Sequence, residues 1–77
     1  MNINIYLLGY LAKFSPTKRE KFNLELPEGA TVGQVLKKIE FPADLERVLL
    51  VNGRRADGSA QLADGDEIFV FMPAAGG

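Results

Sequence analysis

The sequence predicts an α+β domain, built from a mixed sheet of four to five strands with one main helix on one face. Apolar and polar residues alternate over residues 2–8 and again over residues 21–26, which is typical of strands. After Thr31, apolar residues recur at helical spacing. The run from Ile68 to Met72 is apolar throughout, which predicts a last strand at the centre of the sheet, buried on both faces.

The first two strands are predicted to form an antiparallel pair. In the first strand, alternation places Ile3, Ile5 and Leu7 on one face and Asn4, Tyr6 and Leu8 on the other. In the second strand, the inward side chains are Phe22, Leu24 and Leu26. Residues 10–19 include Pro16, so we expect a long connection with at most one short helical turn.

A single helix is predicted to begin at Thr31, because Thr31 and Gln34 match the Thr-x-x-Gln form of the capping box. Its apolar stripe consists of Val32, Val35, Leu36 and Ile39. A proline restricts the backbone of the residue before it, so Phe41 and Pro42 are predicted to end the helix.

Short strands and turns are predicted between the helix and the last strand. Residues 48–51 are apolar and precede Asn52-Gly53, the strongest two-residue signal for a β-hairpin. Residues 54–56 would then return as a short edge strand, and Leu62 is expected in the core. A turn at residues 64–66 leads into the last strand.

One face of the predicted sheet should remain open, because a single helix covers only one face. If the first and last strands lie side by side, the residues that meet the helix are Ile3, Ile5, Leu7, Ile68 and Val70. The other face then carries the apolar residues Tyr6, Leu8, Phe69 and Phe71. Such a patch on a small domain usually marks a site for a partner. The alternative is that the connection at residues 10–19 covers it.

Residues 1–73 are predicted to form the domain, followed by a flexible tail at residues 74–77. Pro73 cannot donate to a strand ladder, so pairing should stop there. The tail, Ala74-Ala75-Gly76-Gly77, has small side chains and an extended reach of about 13 to 14 Å. We expect the carboxylate of Gly77 to be its reactive group, the alternative being a frayed terminus that happens to end in glycine.

Composition excludes several classes of function. The 77 residues make one domain, and they include no Cys, His or Trp. The usual nucleophile, general base and soft metal ligands are therefore missing, so we expect neither a self-contained enzyme nor a metal site. The net charge of −1 argues against nucleic acid, and no apolar stretch has the length of a membrane span or signal sequence. A cytoplasmic protein without a membrane partner is expected.

Charge is unevenly distributed along the chain. Residues 57–77 contain no Lys or Arg, and their acidic residues are Asp57, Asp64, Asp66 and Glu67. A partner that receives this end of the chain should therefore present basic groups. The alternative is that these carboxylates simply serve the turns in which they lie.

The chain resembles the prokaryotic sulfur carriers MoaD and ThiS, which have the ubiquitin-like β-grasp fold, and it is more similar to MoaD. The most specific part of the resemblance is residues 62–67, followed by the apolar strand, Pro73 and Gly76-Gly77. Residues 5–11, 30–32 and 51–53 add to it. Residues 41–47 are shorter than in typical MoaD chains, which leaves the carrier assignment intact and weakens the assignment of the pathway.

The resemblance implies that Gly77 is the site of chemistry. A ubiquitin-activating-type adenylyltransferase would use MgATP to adenylate Gly77 and convert it to a thiocarboxylate, while this chain binds no cofactor itself. In MoaD the tail then delivers sulfur inside the large, MoaE-like subunit of molybdopterin synthase. The residues expected to contact partners are Tyr6, Leu8, Phe69, Phe71, Met72, Pro73, Ala74, Ala75 and Gly76. The alternatives are a ThiS-type carrier that serves thiazole synthase, a protein modifier, and an interaction module without chemistry.

Overall fold

The computed structural model describes residues 1–73. The elements in chain order are β1 (Asn2–Leu7), a 3₁₀ helix (Gly9–Phe14), β2 (Lys21–Glu25), α1 (Val32–Lys38), β3 (Val48–Val51), β4 (Arg54–Arg55) and β5 (Glu67–Phe71). Residues 74–77, which the sequence predicts to be a flexible tail, lie outside the described residues, so that prediction stays a prediction. Across residues 1–73, neither helix has the length and apolar character needed to cross a bilayer.

The five strands form one mixed sheet in the order β2-β1-β5-β3-β4. The two central strands, β1 and β5, run parallel, whereas the pairs β1–β2, β3–β5 and β3–β4 are antiparallel. The predicted α+β architecture is therefore confirmed, including the adjacency of the first and last strands.

The core lies between one face of this sheet and α1. The side chains that β1 and β5 contribute to it are fully buried: Ile3, Ile5, Leu7, Ile68 and Val70. The helix adds Val32, Val35 and Leu36, and Leu62 packs beside them as predicted. The assignment of inward and outward residues on the two central strands is thus confirmed.

The prediction that the last strand is buried on both faces is wrong. Ile68 and Val70 are fully buried, but Phe69 and Phe71 keep partial exposure. The strand ends at Phe71, and Met72 lies beyond it with 43% of its surface exposed. The helix covers only the other face of the sheet. Phe69 and Phe71 are therefore apolar for a reason other than burial within residues 1–73.

The connection after β1 is more ordered than the sequence predicts. In place of one short helical turn it contains a six-residue 3₁₀ helix, which begins at Gly9 with a φ of 60°. Leu11 of this helix is fully buried in the core, and the ring of Phe14 lies 5.3 Å from that of Phe41. The helix therefore closes one end of the core and leaves the outer aromatic residues of the sheet partly exposed.

The start of α1 is formed as predicted. Thr31 Oγ1 accepts a hydrogen bond from the backbone N–H of Gln34 at 3.3 Å, and Gln34 Oε1 accepts one from the backbone N–H of Thr31 at 2.8 Å. These reciprocal bonds make the capping box complete.

The helix ends at Lys38, before the predicted stop at Phe41 and Pro42. Glu40 adopts a φ of 57°, its N–H bonds to the carbonyl of Lys37, and the N–H of Phe41 bonds to the carbonyl of Leu36 at 2.9 Å. These two bonds define a Schellman motif. A Glu occupies the position where glycine is usual, which explains why the sequence does not reveal the end of the helix.

The hairpin between β3 and β4 is confirmed. Asn52 and Gly53 have φ values of 51° and 84°, and positive values at both central residues are typical of a type I′ turn. The turn pairs Val51 with Arg54 and Leu50 with Arg55. Ala56, predicted to extend the edge strand, lies outside it.

Candidate functional site

The candidate site is the sheet face that lies opposite α1, which we call the open face. It contains the four predicted residues Tyr6, Leu8, Phe69 and Phe71, all of them partly exposed. Tyr6, Phe69 and Phe71 alternate along their strands with fully buried residues, so strand geometry alone turns them away from the core. Leu8 directly follows β1 and the buried Leu7. The sequence-predicted residues of this face are therefore brought together.

Tyr6 and Phe69 form the centre of the open face. The parallel register of β1 and β5 places them side by side, and their rings stack with centroids 4.2 Å apart and planes 2° from parallel. The hydroxyl of Tyr6 lies 3.4 Å from Oε2 of Glu67, the residue that precedes Ile68 on the same strand. The face thus has an aromatic centre with one carboxylate at the end where β5 begins.

Strand β3 contributes two further apolar residues that the sequence analysis missed. Leu50 lies opposite Phe69 and Val48 lies opposite Phe71 in the antiparallel register, and both are partly exposed. The stretch of residues 48–51 is apolar at every position, so its alternation cannot be read from residue type. Leu50 and Val48 are therefore part of the open face.

A cation lies at each lateral edge of the open face. On β2, Lys21 pairs with Tyr6, and its Nζ lies 5.6 Å from the centroid of the Tyr6 ring, within the range of a cation–π contact. On β4, Arg55 pairs with Leu50. Both cations are exposed.

The acidic residues near the end of the chain are engaged by local hydrogen bonds. Asp64 Oδ1 accepts from the backbone N–H of Asn2, and Asp66 accepts from the backbone N–H of Ala63 and from the side chain of Asn52. These carboxylates hold turns together, as the alternative reading of the sequence proposed. The open face itself carries two cations, Lys21 and Arg55, and two acidic residues, Glu67 and Glu25. The expectation that a partner presents basic groups to this end of the chain stays a prediction.

Asp57 also serves a turn. It accepts hydrogen bonds from the hydroxyl and the backbone N–H of Ser59. The side-chain hydrogen bond is the larger cause, and together the two lower the pKa of Asp57 below its usual value, because they stabilise the ionised carboxylate. This carboxylate is a turn residue and takes no part in the open face.

The chain leaves the sheet beside the apolar end of the open face. Strand β5 ends at Phe71, next to Leu8, whose N–H donates to the carbonyl of Val70 at 2.9 Å. Met72 is exposed and Pro73 is partly exposed. The predicted site residues Ala74, Ala75, Gly76 and Gly77 lie outside the described residues. The last described residue before them, Pro73, follows the strand end that borders the open face.

A shallow cleft of about 230 Å³ lies on the helix side of the domain. It is lined by Gly33, Leu36, Lys37, Phe41, Ala43, Arg47 and Gly58. The guanidinium of Arg47 donates to the carbonyls of Ala43 and Leu45, so its role is to hold the loop after α1. Its lining includes none of the residues of the open face.

The fold and its open face define the class of protein: the chain is a ubiquitin-like β-grasp protein, a mixed open sheet with one main helix. The profile of the ThiS family matches residues 8–77, so the chain belongs to this family of small ubiquitin-like sulfur carriers. The resemblance to the MoaD and ThiS carriers is thereby confirmed. None of the curated protein sequences compared with the chain matches it significantly.

Solved structures with the same fold cover almost the whole chain. The putative molybdopterin converting factor subunit 1 from Pyrococcus furiosus is 23% identical, with 96% of this chain and 99% of that chain covered and a TM-score of 0.82. SAMP1, a small archaeal modifier protein from Haloferax volcanii, is 22% identical over 100% of both chains with a TM-score of 0.80. A chain in the complex of subunits 1 and 2 of the molybdopterin-converting factor from Helicobacter pylori is 21% identical over 100% of both chains, with a TM-score of 0.64.

Proposed function

We propose that this protein carries sulfur on the carboxyl group of Gly77 and donates it in the synthesis of molybdopterin. The observation that carries the proposal is the position of the open face, which adjoins the point where the chain leaves the sheet after Phe71. The match to the ThiS family extends through residue 77 and so includes the tail. A partner that docks on the open face is in position to receive the tail.

The chemistry begins with activation of a carboxylate, which is inert to sulfur nucleophiles at neutral pH. An oxygen of the Gly77 carboxylate attacks the α-phosphate of ATP, and pyrophosphate leaves. A hydrosulfide equivalent then attacks the carbonyl carbon; the new C–S bond forms as the C–O bond to phosphate breaks, and AMP leaves. This chain has no Cys or His to perform these steps, so the adenylating partner supplies the MgATP site and the acid–base groups.

Docking on the open face offsets the cost of fixing the tail. Holding four residues in a channel costs about 1 to 2 kcal/mol each, or roughly 4 to 8 kcal/mol in total. At about 25 cal/mol per Å², burial of roughly 160 to 320 Å² of apolar surface offsets this cost. That area is well below the roughly 800 Å² that each partner buries in a standard interface. An interface of standard size therefore offsets the cost of fixing the tail even when only part of its area is apolar.

The choice of pathway is supported by the likeness to the molybdopterin converting factor subunit from Pyrococcus furiosus and by the named complex of subunits 1 and 2 from Helicobacter pylori. On this proposal, the acceptor is a large, MoaE-like subunit of molybdopterin synthase, and its channel admits Ala74, Ala75, Gly76 and Gly77. A second candidate function, attachment to lysines as a protein modifier, is favoured by the equally extensive likeness to the archaeal modifier SAMP1. The ThiS match keeps thiazole synthase as the third acceptor to be tested.

Reconstitution with each acceptor tests the proposal. Thiocarboxylated protein is mixed in parallel with a molybdopterin synthase large subunit and its pterin precursor, with a thiazole synthase, and with candidate lysine-containing proteins under activating conditions. We expect formation of the dithiolene in the first mixture and its absence when Gly76 and Gly77 are deleted. Sulfur delivery only to the thiazole would assign a ThiS-type role, and isopeptide conjugates alone would assign the modifier role.

A further inference from the structure

A single row of residues crosses the whole open face, from one edge of the sheet to the other. Lys21 on β2 pairs with Tyr6, Tyr6 pairs with Phe69, Phe69 pairs with Leu50, and Leu50 pairs with Arg55 on β4. Residues paired in register point to the same face of a sheet. In spatial order, the row therefore consists of a cation, two stacked aromatic rings, a leucine and a second cation.

Contacts and burial agree with the placement of these five residues on one face. The Nζ of Lys21 lies over the ring of Tyr6, and the rings of Tyr6 and Phe69 stack. Leu49 is buried while Leu50 is partly exposed, so Leu50 faces away from the core. Arg55, its partner in register, lies on the same face. Arg54, one residue earlier on β4, pairs with Val51, which packs against the core, and so lies on the helix side.

The two cations have a defined separation. Strands β2 and β4 are the two edges of the sheet and are four strand spacings apart. At about 4.7 to 4.9 Å per spacing, their backbones lie roughly 19 Å apart along the sheet. The flexible stems of Lys21 and Arg55 extend or shorten this distance, whereas the order of the row is fixed by the register.

The remaining polar groups of the open face lie at one end. Asn23, Asn4 and Glu67 form the adjacent row, in which the side chain of Asn23 donates to Asn4. Glu67 is the acid of that row, and its carboxylate lies beside the hydroxyl of Tyr6. In the row beyond it, the exposed Glu25 of β2 pairs with Asn2. At the other end, Phe71 and Leu8 adjoin the chain exit. The face thus carries one cation at each lateral edge, acidic and amide groups at its polar end, and apolar residues toward the tail.

We propose that the open face binds the enzyme that adenylates Gly77, and that Lys21 and Arg55 determine this choice of partner. The complementary surface of that enzyme has an apolar centre between two carboxylate clusters roughly 19 Å apart. This inference rests on the proposed function, because it assigns the open face to the partner that receives the tail. It applies equally to delivery to pterin, thiazole or lysine, since each route requires the same activation of Gly77.

Charge complementarity favours a protein as the occupant over a membrane or a nucleic acid. A membrane or nucleic acid surface offers continuous negative charge, which would oppose Glu67 and leave the stacked rings of Tyr6 and Phe69 unused. A protein surface with acids only at its rim satisfies both cations and buries the apolar centre. Rim charges mainly govern the association rate and the orientation of the complex, and opposed like charges reject wrong partners. The row would therefore fix the angle at which the tail enters the active site.

The test compares charge reversals at two neighbouring arginines. Arg55→Glu and Arg54→Glu make the same chemical change on the same strand, but only Arg55 lies on the open face. Each variant, with Lys21→Glu and the double variant of Lys21 and Arg55, is assayed for adenylation by the cognate enzyme with MgATP, using pyrophosphate release. Thermal melts confirm that each variant is folded.

We expect Arg55→Glu and Lys21→Glu each to raise the KM for the carrier about three- to thirtyfold, with Arg54→Glu within about twofold of wild type and kcat little changed. Raising the ionic strength from about 0.1 to 1 M, which shortens the Debye length from about 10 to 3 Å, should weaken wild-type association and strengthen that of the double variant, whose reversed charges repel the carboxylate clusters. Arg55→Lys should restore most of the loss.

Equal effects of Arg54→Glu and Arg55→Glu, or no effect of either, would overturn the inference while wild-type activation still supports the proposed function. Failure of the wild-type protein to be adenylated would instead refute the proposed function. If the wild type self-associates and Arg55→Glu abolishes that association without changing KM, the face belongs to a second copy of this chain, which also overturns the inference.

Discussion

Arginine substitutions at Val70 and Phe71 should lower the stability of the domain by very different amounts, although the two residues are neighbours on β5. Val70 is fully buried, and its strand neighbours in register are Leu7 and Leu49 of the core. Phe71 is partly exposed on the open face beside Val48. Strand alternation is the cause of the contrast.

The expected magnitudes follow from burial. Val70→Arg loses about 1.5 to 3 kcal/mol of apolar burial. It also leaves an unpaired charge in the core, at about 3 to 5 kcal/mol. The sum of roughly 5 to 8 kcal/mol is comparable to the total stability of a domain this size, about 4 to 12 kcal/mol at 0.05 to 0.15 kcal/mol per residue. Phe71→Arg should cost less than about 1 kcal/mol, because its guanidinium reaches water while its stem covers Val48.

Urea titration followed by circular dichroism measures both effects. Phe71→Arg should unfold near the wild-type midpoint and Val70→Arg should be largely unfolded without denaturant. Because an unfolded variant yields no midpoint, Val70→Ala serves as the graded version, with an expected loss of about 2 to 3 kcal/mol from lost burial and a small cavity. Phe71→Arg should also raise the KM for adenylation. A greater loss of stability at Phe71 than at Val70 would mean that the two faces of the sheet are assigned backwards.

Three further predictions concern the tail and the turns. Deletion of Gly76 and Gly77 should abolish activation and leave the thermal melt unchanged; a large fall in melting temperature would show that the tail contributes to packing. Glu40→Gly should stabilise the domain by about 0.5 to 1 kcal/mol, because Glu40 has a φ of 57° at the Schellman position, and a lower urea midpoint would contradict this. Ser59→Ala should raise the pKa of Asp57 in an NMR titration toward its ordinary 3.8, because the Ser59 hydrogen bonds lower it. Since the folded pKa is the lower one, the contribution of Asp57 to stability is present above the unfolded pKa and is lost as pH falls through the folded pKa. An unchanged pKa in the variant would show that the Ser59 hydroxyl does not stabilise the carboxylate.

Local signals with a direct physical mechanism predicted most of the fold. The Thr31 and Gln34 capping box and the Asn52-Gly53 hairpin are both formed. Alternation in β1 correctly separated buried from partly exposed residues, because each outward position is flanked by inward aliphatic ones. These signals depend on neighbours within a few residues, so they are readable without tertiary structure.

The predictions failed where the type of residue does not indicate its burial or its backbone conformation. The apolar run of β5 suggested burial on both faces, whereas Phe69 and Phe71 are apolar on an open face. The end of α1 was misplaced because Glu40, rather than a glycine, takes the left-handed conformation. Residues 48–51 are all apolar, so only the pairing of β3 with β5 reveals that Leu50 is on the open face.

The basic edges of the open face could have been inferred in part from the sequence. A two-residue turn at Asn52-Gly53 fixes the partner of Arg55 as Leu50. The sequence does not state which face Leu50 occupies, so the relation of Arg55 to Tyr6 required the order of the strands. The role that we propose for Gly77 is argued from chemistry and family membership, because residue 77 lies outside the described residues.

The most direct test of the central claim, that Gly77 carries the sulfur, is the intact mass of the protein after incubation with a cognate adenylating enzyme, MgATP and a sulfur source. We expect a mass gain that corresponds to one oxygen replaced by sulfur, localised to Gly77 by fragmentation and absent without ATP. A protein with one bulky residue added after Gly77 is the matched control and should keep its mass. An unchanged mass for the wild type, under conditions in which the same enzyme thiocarboxylates another carrier, would contradict the account.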